Sequence, residues 1–143
     1  MPRFSPTYLE QLLCDDQLES LVELQGIILG SPYIRPNQAD YGLPAEGLVF
    51  IETLAWFTQA SRSGAWTYFE ATSEATQVAT LQALMRHAPA GYAERYSHGA
   101  RYWRDGKRLK ALDEWIEAQT DFCEEWLRQH LRRHQQRLSP FYA

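Results

Sequence analysis

Over most of this chain, apolar residues recur at three- and four-residue spacing, and no alternating run or Asn-Gly hairpin signal accompanies them. A 3.6-residue repeat puts such positions on one side of a helix, whereas a strand needs a repeat of two. The fold class that follows is all-α, a single compact domain of about six to eight helices.

Cap signals divide the pattern. Ser5-Pro6 reads as an N-cap followed by proline at the first helical position, with Leu9, Leu12 and Leu13 on one face behind it. Asp16 and Glu19 form a variant capping box for a helix through Leu18, Leu21, Val22 and Leu29, which Gly30 ends. Pro32, Pro36, Asn37 and Gly42 then break the pattern, which predicts a loop over 31–43 that Tyr33 and Tyr41 pin to the surface.

Pro44 opens a central helix with Leu48, Ile51, Leu54, Ala55 and Thr58 as its buried stripe, flanked by Phe50 and Phe57 and stopped by Gly64. A short aromatic segment, 66–69, leads to the N-cap pair Thr72-Ser73 and a helix carrying Val78, Leu81, Leu84 and Met85. Ala88-Pro89 starts another, with Tyr92, Tyr96 and Trp103 near one side, and Asp105-Gly106 marks a turn. The last stretch carries Leu109, Leu112, Ile116, Phe122, Cys123, Trp126, Leu127 and Leu131. One helix over 108–137 would reach about 45 Å, so a break near 118–120, recapped by Thr120 and Asp121, is expected. The organisation is thus one domain over 1–143, with N-terminal helices to residue 30, a loop over 31–43 and a main helical region over 44–138.

The length of 143 residues suits one domain, and 45% apolar with 22% charged residues excludes disorder of the whole chain. No apolar run approaches the ~18 residues of a membrane helix, and residues 1–6 lack the apolar core of a secretory leader. The expectation is a cytoplasmic protein with Cys14 and Cys123 unbridged, each in apolar periodic surroundings.

Catalytic signatures are missing: there is no GxSxG elbow, P-loop, GxGxxG or HExxH. His130 and His134 stand four apart, a spacing that suits a shared metal ion, but Arg128, Arg132, Arg133 and Arg137 would repel one. The expectation is a solvated basic helix end, with no metal and no cofactor. The same stretch lacks the interleaved aromatic residues of a single-strand binder, so no direct contact with nucleic acid is expected.

Carboxylates form the more unusual pattern. Asp15, Glu19 and Glu23 recur every fourth residue, as do Asp113, Glu117, Asp121 and Glu125. Like charges at this spacing repel by a few tenths of a kcal/mol per pair. Either these are solvated faces, with Glu124–Arg128 as a helper pair, or they are anionic rows fitted to a basic partner. Residues 1–85 carry three basic and ten acidic side chains, a net of −7, whereas residues 86–143 carry a net of +3. Either the molecule has two faces of different potential, or helices of different surface chemistry alternate.

The run from Ile51 to Ala71, with Ser63-Gly64-Ala65-Trp66 at an Asn-Gly-Gly-Phe position and Tyr68-Phe69 at an aromatic pair, resembles a bacterial family of small helical proteins named for a DNA-mimic member. The likeness extends over about residues 44–135. It implies an all-α fold and an acidic dimer that occupies the DNA-binding surface of a protein partner. The function expected from residues and resemblance together is that of a non-enzymatic interaction protein binding through acidic helix faces. The alternative is a small-molecule-binding or enzymatic domain with a pocket at the 63–69 turn, formed by Ser63, Gly64, Trp66, Tyr68 and Phe69, with Glu52 and Glu70 nearby; an aromatic cluster of this kind is more often core.

Nineteen aromatic residues in 143 exceed what a small interior readily holds, and tryptophan and tyrosine favour interfaces. A homodimer is therefore expected, with Trp103, Trp115 and Trp126 as its contact patch.

Overall fold

A computed structural model describes residues 3–143, and among them it contains helices and no strands. The helices are α1 (Pro6–Cys14), α2 (Leu18–Leu29), α3 (Ala45–Ser63), α4 (Ala65–Ala71), α5 (Glu74–His87), α6 (Tyr92–Tyr102), α7 (Gly106–Arg133) and α8 (Gln135–Tyr142). The all-α fold is as the periodicity requires. None of these helices is long and apolar enough to cross a membrane.

Helix α3 is the axis of the fold. The expected one-sided stripe is far wider than a stripe: Glu46 to Leu54, Trp56 and Phe57 are all buried. A helix buried on nearly every side must be surrounded, and α2, α4, α5, α7 and α8 all pack against α3. Trp56 has no exposed surface and meets Phe69, Tyr96 and Trp115 at ring-centroid distances of 6.4, 5.1 and 6.1 Å.

Several caps form as the sequence predicts. The Ser5 and Ser73 hydroxyls accept the amides of Tyr8 and Thr76, and Gly30 closes α2. Gly64 ends α3 at φ 96°, a conformation that disfavours any side chain. Gly99 allows the closest approach of elements: a Cβ there would lie 2.3 Å from Phe69 Cε2 and 2.9 Å from Leu112 Cδ2.

Other expectations are corrected. Helix α7 runs unbroken for 28 residues, about 42 Å. Thr120 does not recap it, because its hydroxyl donates to the Ile116 carbonyl at 2.8 Å within the helix. The Asp16–Glu19 capping box does not form: α2 starts at Leu18 with no side-chain cap, and Asp15 accepts from the Gln17 amide and the Ser20 hydroxyl instead. Residues 66–69 belong to helix α4, not to a connecting segment. Pro89 sits in the turn before α6, whose N-cap is Gly91 at φ 92°. The helical region runs past residue 138, since α8 extends to Tyr142 and buries Leu138, Phe141 and Tyr142. Val78 and Met85 lie open on α5 at 58% and 71% exposure, leaving Leu84 to anchor that helix with Ala83. Of the cysteines, both free, Cys123 is buried and Cys14 is exposed.

The expected solvated basic end holds only in part: Arg132, Arg133 and Arg137 are exposed, whereas His130 and Arg128 are buried. His130 is 2% exposed, stacks on Trp126, and its Nε2–H donates to the Glu46 carbonyl at 2.9 Å. Arg128, 5% exposed, donates to the Gln17 carbonyl and pairs with Glu125 at 3.3 Å, so its partner is Glu125 in place of Glu124. Arg132 donates to the Leu13 carbonyl at the end of α1, and Arg137 pairs with Glu46 at 2.9 Å.

Candidate functional site

The structure divides the two carboxylate rows by what each group already holds. Asp113 accepts the Ala65 amide at 2.8 Å and so serves the first turn of α4. Asp15 is bonded to Ser20 and Gln17, Glu23 accepts from the Tyr8 hydroxyl, and Glu125 takes Arg128. Glu19, Glu117 and Asp121 are exposed. Glu124, absent from the rows, joins them: it is half-buried, and its carboxyl is raised first by burial and then by the negative charge of Asp121, with Arg128 opposing and Glu19 adding to the shift. The effect of Glu19 reflects the packing of α2 against α7.

Beside Glu124 lies a groove of about 440 Å³ whose lining joins apolar residues to Gln25, Thr58, Ser61 and Thr120 and to the charged side chains of Glu124 and Arg62. Helix α2 contributes Leu18 and Val22 to it, α3 contributes Leu54 and Phe57, and α7 contributes Cys123 and Leu127. Leu18 and Val22 are 37% and 46% exposed, whereas Leu54, Phe57 and Leu127 belong to the core and form the floor. The local sequence explains the opening. Helix α2 has apolar residues at 18, 21, 22, 24, 27, 28 and 29, more than one face can bury, so Leu21, Leu24 and Ile28 go inward and Leu18 and Val22 stay at the rim. Burial holds the Cys123 thiol up at about 12, so at neutral pH it is an unreactive, protonated part of the wall.

The 63–69 turn is split. Tyr68 and Phe69 are buried and Gly64 is half-buried, whereas Ser63 and Trp66 are exposed, Trp66 at 44%. Tyr68 turns its hydroxyl away from the turn to donate to Glu52 Oε1 at 2.7 Å.

The three tryptophans expected at a dimer contact fold back on the molecule. Trp115 packs on Trp56 and Tyr92 and lies under the Arg95 guanidinium, Trp126 stacks on His130, and Arg104 covers the Trp103 ring at 4.1 Å.

Among the described residues, no group of three or more His, Cys, Asp or Glu side chains is arranged to hold a metal ion. His87, His130 and His134 do cluster, with centroid separations of 4.7–5.9 Å, a grouping that the i,i+4 spacing of the latter two reveals only in part. Comparison with protein-family models, curated proteins and solved structures finds no match to the chain.

Proposed function

We propose that this chain is an interaction protein that receives an amphipathic, basic helix of a protein partner in the α2/α3/α7 groove. The observation that carries the reading is the coincidence, on one surface, of exposed Leu18 and Val22 with the Glu124 carboxylate in the groove lining and with Asp121 and Glu19 near enough to raise that carboxyl; Arg62 is the one cation in the lining. An apolar channel between helices takes the apolar face of a further helix. A carboxylate rim selects lysine and arginine on that helix's flanks and speeds encounter. Helices of this kind are common in DNA-binding proteins, and the resemblance drawn over residues 44–135 favours such a partner. The anionic rows contribute through Glu19, Glu117 and Asp121, whose carboxylates lie at the surface.

The test is fluorescence anisotropy with two labelled amphipathic helical peptides, one Leu/Lys and one Leu/Glu. The Leu/Lys peptide is expected to bind, and to weaken as salt shortens the screening length from about 10 Å at 0.1 M toward about 3 Å at 1 M. Val22→Glu is expected to abolish that binding with the helical circular dichroism signal intact. Equal affinity for the Leu/Glu peptide, or full binding by a folded Val22→Glu variant, overturns the reading.

A further inference from the structure

We propose that the cavity beneath the 36–41 segment is a binding site for a small ligand bearing a primary ammonium group, anchored on Glu52. This site lies apart from the groove and does not depend on the reading given to it.

Glu52 sits mid-way along α3 and is 4% exposed, a carboxyl in a position the helical pattern assigns to the interior. Buried carboxylates are paired with a cation in most proteins. The partners of Glu52 are hydroxyls: Tyr68 donates to Oε1 at 2.7 Å, and Tyr41 reaches Oε2 at only 3.4 Å. Tyr96 lies 2.7 Å from the Tyr68 oxygen, and because the Tyr68 proton is committed to Glu52, Tyr96 is the donor there. All these protons point toward the carboxyl, an arrangement that stabilises the ionised form, while burial raises the Glu52 carboxyl above its ordinary range. An ionised carboxylate has about four acceptor positions, and the Oε2 side is nearly unfilled.

That side borders a cavity of about 420 Å³, within the ordinary size range of small-molecule sites. Its walls are Tyr41, Tyr68, Gln59, Thr72 and Thr76, with Pro36 to Ala39 across the mouth. Glu52 is the only charged side chain in the lining, so an anion meets no counter-charge and a neutral ligand leaves the carboxylate unpaired. An ammonium group supplies the missing charge and three donors. The loop is held to this shape by Tyr41 itself, which adopts φ 58°, rare for an aromatic residue; the Tyr41 carbonyl accepts the Arg35 amide at 2.8 Å.

Two-dimensional amide NMR tests the site with butylammonium chloride, n-butanol and sodium butyrate as probes. Butylammonium is expected to shift the Gln38, Ala39, Gln59 and Thr72 amides saturably, with a Kd of about 1 mM or below, a modest affinity for so small a ligand. Butanol and butyrate are expected to leave them in place. Glu52→Gln is expected to weaken the amine at least about tenfold, and Glu124→Gln, on the groove rim, to leave its affinity unchanged. Ala71→Phe, at an exposed position on the cavity wall, is expected to block binding without touching Glu52, and it decides the matter if Glu52→Gln does not fold. No saturation by about 10 mM amine, equal shifts with butanol or butyrate, or undiminished affinity in a folded Glu52→Gln or Ala71→Phe variant overturns the proposal.

Discussion

Protonating His130 is expected to strip the fold of a large share of its stability. The ring is 2% exposed, and its Nε2–H is committed to the Glu46 carbonyl. Burial is the main cause of a pKa lowered to about 4; the Glu46 carbonyl and carboxylate oppose the shift, and the neighbouring His134 and His87 add to it. Arg137 faces the same cluster through its pair with Glu46. In the unfolded chain the ring titrates near 6.5. Because the folded value lies below the unfolded one, the unfolded state binds the proton first. The contribution is therefore complete above about pH 6.5 and lost as pH falls toward about 4. At about 1.4 kcal/mol per pKa unit the loss is about 3 kcal/mol, against a total of about 5–15 kcal/mol for a domain of ordinary stability. The carboxylates also titrate in this window, so the difference between wild type and His130→Gln isolates the effect; glutamine keeps a donor for the Glu46 carbonyl and cannot take a charge. Urea unfolding at several pH values should show wild type losing about 3 kcal/mol more than the variant between about pH 7 and pH 4. Parallel curves, or a His130 resonance titrating near its unperturbed value in the folded protein, would refute the reasoning.

Gly99→Ala is expected to destabilise the fold by about 1–3 kcal/mol or more, because the new methyl meets the Phe69 ring and the Leu112 side chain; thermal unfolding measures it. Asp113→Ala should cost about 1 kcal/mol by removing the acceptor of the Ala65 amide, with the amide-exchange loss confined to the start of α4. Trp56→Ala is expected to cost about 3–5 kcal/mol, since the ring has no exposed surface and meets four other aromatic rings, and a shift in urea midpoint reports it. Val22→Glu, by contrast, places its charge at a 46% exposed position and should leave the urea midpoint nearly unchanged.

The helices were legible wherever a local signal governs them. Ser5-Pro6, Ser73, Gly30 and Gly64 act within one turn of the chain, and each marks the boundary it predicts. The errors lie where a local preference met a tertiary demand. Thr120 has the chemistry of a cap, yet α7 is anchored on both sides of it by buried Ile116 and Cys123, so the hydroxyl turns back onto its own helix. Asp16 lost the capping position because Asp15 reached Ser20 first. Within the candidate site, Glu19 and Asp121 could be read from spacing, but Leu18 and Val22 look like core residues until a neighbour fails to cover them. Glu52 shows the same difficulty in reverse. A lone carboxylate in an apolar stripe resembles a solvent-facing residue, and the two tyrosines that meet it come from 11 and 16 positions away.

The uneven charge of the sequence has a physical resolution in how the chain closes on itself. A net of −7 in residues 1–85 and +3 in the remainder suggests two poles. The structure lays part of the basic segment onto the acidic one. Arg132 reaches the carbonyl at the end of α1, where a helix presents partial negative charge. Arg128 reaches the Gln17 carbonyl just before α2, and Arg137 neutralises Glu46 in the first turn of α3. These bonds join residues 91 to 119 positions apart, so the C-terminal part of the chain fastens the N-terminal helices to the central one. Arg128, almost wholly buried, is held by the Gln17 carbonyl and Glu125, and the basic C-terminal stretch serves in part as a structural clasp. Of the carboxylates the clasp does not use, Glu124 lines the groove into which Leu18 and Val22 project, together with Arg62, and Asp121 and Glu19 act on Glu124 from nearby. Arg62 in the same lining offsets Glu124, so the acidic bias of that face comes from Glu19 and Asp121 around the groove and not from its wall.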